Sequence, residues 1–386
     1  MFLLRNARAL SPDPLGAVDV LLGGGQILAI GAGLAPPTGL PVEEIDCTGR
    51  WVAPGLVDAH THLAGGGGEG GARTRVPPVQ LTDLTLAGVT TAVGLLGTDC
   101  RTRSIAELLA CARGLDELGL TAFAYTGGYE VPVRTLTGSV RDDLVHVDRL
   151  IGIGEVAISD HRSSQPTFDE LVRLAADAHV SGMLTGKAGI LHLHLGDGAR
   201  GLALVRRALD ETEIPARVFQ PTHCNRNRRL WQEAKALSLR GVPIDATAFE
   251  AEEDAPSGGQ AIAEWYREGL PADRLTLSSD GGGCLPTFDR DGVLTRMEVG
   301  ASRALLRSVR EAVELGVPLE FALATVTRNP ARQLRLAAKG RLEVGADADV
   351  VVLSDSLAAV EVFARGAPMV RAGRAVRQGP FEAHPG

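Results

Sequence analysis

Short apolar runs alternate with longer amphipathic stretches through most of the chain, as expected of repeated strand–helix units. Eight runs read as strands: GLVDAHTH (55–62), VTTAVGLLG (89–97), TAFAYTGG (121–128), VAISDHR (156–162), GILHLHLG (189–196), VFQPTHC (218–224), PIDATAF (243–249) and LTLSSDGGG (275–283). Eight parallel strands with helices between them predict an α/β fold, a (β/α)8 TIM-like barrel. The ends read differently. VDVLLGG and QILAIGAGL near the start, and ADADVVVLS, AVEVFARG and PMVRAGRAV near the finish, are short runs broken by Gly and Pro, the pattern of small antiparallel strands. The expected organisation is a small β-sandwich domain formed by residues 1–53 and 343–386, flanking a barrel of residues 54–342.

Composition narrows the function classes. The 386 residues exceed what one core usually holds, and 45% hydrophobic with 22% charged residues is a globular balance. A formal charge of −8 with the signs interspersed offers no basic stripe for nucleic acid. Five widely spaced cysteines without a CxxC pair argue against a disulfide framework. Neither a signal-peptide core nor an apolar run long enough for a membrane is visible, so the expectation is a cytoplasmic chain without membrane or nucleic-acid partners.

The chemistry gathers at the C-terminal ends of the runs, the catalytic face of such barrels: His60 and His62, Thr98, Tyr129, Arg162, His194, His223 and Asp280. His60 and His62 stand two apart on a strand, so both imidazoles point to one side, suited to a divalent transition metal. A lone His-x-His pair is weak evidence, but His194, His223 and Asp280 end other strands and add ligand-type side chains. His192 is an alternative to His194. His146, His179 and His384 are read as solvated, and His161 as a packing residue facing away from the barrel axis.

HTHLAGGGGEGG, GVTTAVGLLGTD, YTGGYEVPVRTLTGS, AISDHR, PTHCNRN and TLSSDGGG, in this order across nearly the whole chain, resemble the isoaspartyl (β-aspartyl) dipeptidase family of the amidohydrolase superfamily. The resemblance implies zinc-dependent hydrolysis of a small zwitterionic β-aspartyl dipeptide, with two Zn2+ per chain bridged by a hydroxide, in a homo-oligomer. It implies that His60, His62 and Asp280 hold one zinc and His194 and His223 the other. Asp280 would carry a proton from the attacking hydroxide to the leaving amine, and Tyr129 would donate to the developing oxyanion. Glu69, with backbone near Gly67 and Thr98, would hold the α-ammonium, and Arg162 and Arg226 would fork onto carboxylates; a structural salt-bridge role is the other reading of each arginine. Cys284 stands where the family pattern has a carboxylate-binding serine, and a thiol is a weaker donor.

One departure bears on the metals. The family bridges them with a carboxylated lysine seven residues before the SDHR arginine, and here that position is Glu155. No lysine occurs from 101 to 186. Glutamate offers the same charge and two oxygens on a shorter side chain, so bridging requires the backbone to move inward. A bulge at the glycines of IGIGEV (151–156) would supply the shift; the competing reading is that Glu155 binds one metal or none.

Overall fold

The computed structural model describes residues 1–288 and 293–382. Six parallel strands form a continuous sheet in chain order: Leu56–Thr61, Val89–Gly94, Thr121–Thr126, Leu150–Ile158, Ile190–Leu195 and Phe219–Thr222. Strands seven and eight, Ile244–Thr247 and Leu275–Ser278, pair in parallel with each other. A helix follows each strand, and several helices start on a Ser, Thr or Asn whose side chain accepts the third backbone N–H, as at Ser104, Thr167 and Asn227. Such a cap is worth about 1 kcal/mol, so polar punctuation as well as apolar period sets the repeat.

Two seams join the pieces into a barrel. Between strands six and seven the Cys224 N–H donates to the Asp245 carbonyl at 3.2 Å. Between strands eight and one a single parallel bridge pairs Thr61 with Gly281. Buried carboxylates reinforce both seams. Asp245 accepts from the hydroxyls of Thr222, Thr276 and Ser278 at 2.5–2.6 Å. Asp58 accepts the Ser279 N–H at 3.1 Å and the Ser279 hydroxyl. Burial raises the carboxyl pKa of both, and the hydroxyl donors satisfy groups that would otherwise be costly inside a barrel.

The chain ends pair into one mixed sheet, nine-stranded among the described residues, with residues from Phe2–Leu10 through Trp51–Pro54 on one side and Val350–Leu353 through Arg374–Ala375 on the other. Val350–Leu353 runs antiparallel to Trp51–Pro54, which is where the two ends meet. The sheet curls on itself: Ile27 and Phe363, from distant strands, lie in one apolar core with Leu4, Val20 and Val52, and Gln26 bridges to Asp347.

Strand four begins at Leu150, six residues before the run read from sequence, and stays buried throughout. Its ladder to strand five pairs Ile153 with Leu191 and Val156 with Leu193, so one extra residue is accommodated at Gly154–Glu155. This is the bulge expected at the glycines of IGIGEV. A Cβ on Gly154 would stand 2.7 Å from the His192 Cβ, so the bulge needs glycine there. Strand four ends at Ile158 and the chain then turns, with Ser163 N–H donating to the Asp160 carbonyl. The alternation used for His161 therefore does not extend to it, and His161 is exposed rather than packed. His146 is exposed, His179 is half-buried beside Arg217, and His384 lies outside the described residues.

Candidate active site and metal centre

Strand alternation carries Asp58, His60 and His62 to the barrel interior, and all three are buried. His223 and Asp280 follow the last residues of strands six and eight with φ of 59° and 53°. This left-handed backbone costs a non-glycine residue about 1 kcal/mol and turns both side chains into the mouth. Glycine makes the room. A Cβ on Gly283 would stand 2.1 Å from Asp280 Oδ1, and one on Gly97 would stand 2.7 Å from the His62 ring.

Six ligand-type side chains converge. His62 Nε2 lies 3.0 Å from Asp280 Oδ1 and 3.5 Å from Glu155 Oε1, and His60 Nε2 lies 3.4 Å from Asp280 Oδ1. On the other side, Glu155 Oε2 lies 3.2 Å from His194 Nδ1 and 3.5 Å from His223 Nε2. Three overlapping triads could each hold an ion: His60, His62 and Glu155; His60, His223 and Asp280; Glu155, His194 and His223. Glu155 belongs to two of them, facing His62 with one oxygen and His194 with the other.

The electrostatics fit cations. Burial alone would lower His60, yet Glu155 and Asp280 outweigh it and raise its pKa to about 9. Burial would raise Glu155, but His60, His194 and His223 hold its carboxyl well below the usual range. Burial lowers His223 to about 3, keeping that imidazole neutral as a metal ligand must be. His62 Nε2 and His60 Nε2 stand 3.0 and 3.4 Å from Asp280 Oδ1, yet neither His60 Nε2 nor Asp280 Oδ1 makes a well-aligned hydrogen bond among the described residues. Buried polar atoms left in this state are costly, and a divalent metal would satisfy both. Buried imidazole and carboxylate donors suit zinc and its neighbours.

The outer contacts were not all visible in the sequence. His192 falls in none of these triads: its Nε2 lies behind His60, 2.8 Å from His60 Nδ1, and its own Nδ1 is 3.3 Å from Gln220 Oε1. Thr247 holds His223 Nδ1 at 2.8 Å. Asp160, which no spacing singled out, contacts His194 Nε2 at 2.9 Å and Arg162 Nη2 at 2.7 Å. Burial would raise its carboxyl, but His194 and Arg162 hold it well below the usual range.

One polar cleft opens over the centre. It is lined by His62, Glu155, His194 and Asp280 from the metal set, and by Gly67, Glu69, Thr98, Tyr129, Arg162, Arg226 and Cys284. His60 and His223 lie beneath. Tyr129 OH lies 2.8 Å from His194 Nδ1, and burial with the nearby Glu155 charge raises the phenol well above its ordinary pKa; it stays a proton donor. Arg162 Nη1 is 3.5 Å from Glu69, and Arg226 is 3.7 Å from Asp197. Burial pushes the Cys284 thiol up to about 12, so it is neutral at physiological pH.

A buried histidine–carboxylate centre under a charged cleft, at the C-terminal mouth of a barrel, defines a metal-dependent hydrolase of the amidohydrolase kind. The amidohydrolase family matches residues 51–371, and the chain belongs to that family. It is similar to the β-aspartyl dipeptidase of the thermophilic keratin-degrading Fervidobacterium islandicum AW-1, solved in complex with β-Asp-Leu. The two share 41% identity over 99% of this chain and 98% of that one, with a TM-score of 0.94. Dihydropyrimidinase from Brevibacillus agri NCHU1002 shares the fold at a TM-score of 0.68 and 17% identity. Curated relatives include imidazolonepropionase of Methylobacterium sp. (strain 4-46), 35% identical over 36% of this chain and spanning 37% of that protein. Imidazolonepropionase of Pseudomonas aeruginosa (strain UCBPP-PA14) is 29% identical over 80% of each. No helix among the described residues is long and apolar enough to cross a membrane.

Proposed function

We propose that the protein is a zinc-dependent dipeptidase that hydrolyses the side-chain amide of β-aspartyl dipeptides. The observation that carries this reading is the single cleft in which the metal donors meet Glu69, Arg162, Arg226 and Tyr129. A free dipeptide brings an ammonium and carboxylates, each of which needs a charged partner if it is to leave water.

In this reading His60, His62 and Asp280 would hold one zinc, His194 and His223 would hold the other, and Glu155 would be shared between them. Bound zinc supplies Lewis acidity that polarises the scissile carbonyl and makes water a nucleophile near neutral pH. Asp280 takes the proton from the attacking water and delivers it to the leaving amine. Tyr129 donates its hydroxyl hydrogen to the carbonyl oxygen as negative charge develops there. Glu69 pairs with the α-ammonium, the backbone at Gly67 and Thr98 completes that end, and Arg162 and Arg226 orient the carboxylates. Cys284 supplies a weak thiol donor to one of them.

Another amide hydrolase or a deaminase of the amidohydrolase superfamily is the second reading, and curated relatives named imidazolonepropionase favour it. The cationic side chains beside Glu69 favour a zwitterion instead. The test is hydrolysis of β-Asp-Leu against α-Asp-Leu by purified protein, with metal per chain measured on the same sample. Selective β-Asp-Leu cleavage with about two zinc ions per chain is expected. Metal-loaded protein inert towards β-aspartyl dipeptides overturns the substrate assignment.

A further inference from the structure

Asp160 lies on the turn after strand four and is 5% exposed. Its Oδ1 accepts the Arg162 backbone N–H at 2.7 Å and Nε at 3.1 Å, and its Oδ2 accepts Arg162 Nη2 at 2.7 Å. The same Oδ2 lies 2.9 Å from His194 Nε2. His194 turns its other nitrogen, Nδ1, towards Glu155 and the centre. A metal held there would need the Nδ1 lone pair, which would leave the ring hydrogen on Nε2, facing Asp160. Arg162 Nη2 and His194 Nε2 are then two donors only 3.3 Å apart. They tolerate each other because one anionic oxygen accepts from both. Asp160 also occupies the Nε–Nη2 edge of the guanidinium, which turns Nη1 towards Glu69 and the cleft.

We propose that Asp160 is a positioning residue that couples the metal centre to the substrate site, through one carboxylate that fixes both the His194 tautomer and the aim of Arg162. The inference rests on the dipeptidase reading for its substrate half alone. Asparagine cannot replace the carboxylate in this geometry. With its single oxygen on the Oδ2 side its NH2 faces the Arg162 backbone N–H and Nε, with the oxygen on the Oδ1 side its NH2 faces both His194 Nε2 and Arg162 Nη2, and in either orientation the charge that both partners share is gone. Gly196 allows an independent perturbation, because a Cβ there would stand 2.5 Å from the Asp160 carboxylate and displace it without altering a contacting residue.

Zinc affinity of the apo-protein, read by competition with a chromophoric chelator, and KM for β-Asp-Leu at saturating zinc are compared for wild type, Asp160→Asn, Gly196→Ala and Arg162→Lys. In Asp160→Asn and Gly196→Ala, zinc affinity is expected to fall about 10- to 100-fold, the usual effect of losing a carboxylate behind a metal-bound histidine. KM is expected to rise about tenfold in the same two variants, with kcat much less affected, as a loss of uniform binding. Arg162→Lys raises KM and leaves zinc affinity at the wild-type value. A loss of zinc affinity without a change in KM, or the reverse, in both Asp160→Asn and Gly196→Ala overturns the coupling. Wild-type protein inert towards β-Asp-Leu overturns the dipeptidase reading instead, and the zinc competition still decides the His194 limb.

Discussion

Replacing Glu155 with glutamine removes one charge from the middle of the centre and changes almost nothing in shape. The carboxylate lies 3.2–3.6 Å from four imidazole nitrogens. A unit charge about 3.5 Å from a cation is worth about 5 kcal/mol at an effective dielectric of about 20. Glutamine keeps one oxygen that can still coordinate, so about 3 kcal/mol should be lost, or about a hundredfold in metal affinity. The assay is zinc retained per chain after dialysis against graded chelator, followed by β-Asp-Leu turnover. If Glu155 spans both ions, retention of both falls together. Bicarbonate should make no difference to wild type, and it should not rescue Glu155→Lys, because the bulge has already brought the backbone inward for a short side chain. Undiminished zinc retention in Glu155→Gln, or loss of one ion with the other held at wild-type strength, would refute the bridging argument. Recovery of Glu155→Lys by bicarbonate would refute the argument from the bulge.

Two further outcomes follow from the cleft. Tyr129→Phe should lower kcat about 10²- to 10³-fold, the cost of one oxyanion donor, while zinc per chain and KM stay close to wild type; an equal loss of zinc would show that the hydroxyl serves His194 instead. Cys284→Ser exchanges a weak donor for a stronger one and should lower KM for β-Asp-Leu several-fold, and an unchanged KM would remove Cys284 from the substrate site. In wild type the thiol, with its pKa raised to about 12, should react with iodoacetamide at neutral pH far more slowly than a free cysteine, a difference readable by mass spectrometry.

The sequence revealed the centre better than its supports. His60, His62, His194, His223 and Asp280 stood out because each ends a strand, and strand ends at one face of a barrel are the positions that meet. Strand four was the difficult element. The run read from sequence began at Val156 and left Gly152 and Gly154 outside it, whereas in the fold they lie within the strand and leave room for Ile190, Tyr125 and His192. His192 and His194 repeat the His-x-His spacing of His60 and His62 and share their inward face, so spacing alone could not separate ligand from support. One layer of depth along the barrel did. Asp58, Asp160 and Asp245 carried no signal beyond being aspartates in or near strands, because apart from Arg162, two residues from Asp160, their partners are hydroxyls and an imidazole brought from other parts of the chain.

The seams of the barrel give the centre a second consequence. Strands one to six form one continuous sheet, and strands seven and eight form another. His60, His62, Glu155, His194 and His223 belong to the first sheet and Asp280 to the end of the second. Any ion shared between Asp280 and the histidines would fasten the two sheets at the mouth, above the carboxylate clasps of Asp58 and Asp245. The cations that ready water for attack would then also be the rivets of the barrel, and stripping them would open the molecule along a line already drawn by its hydrogen bonding.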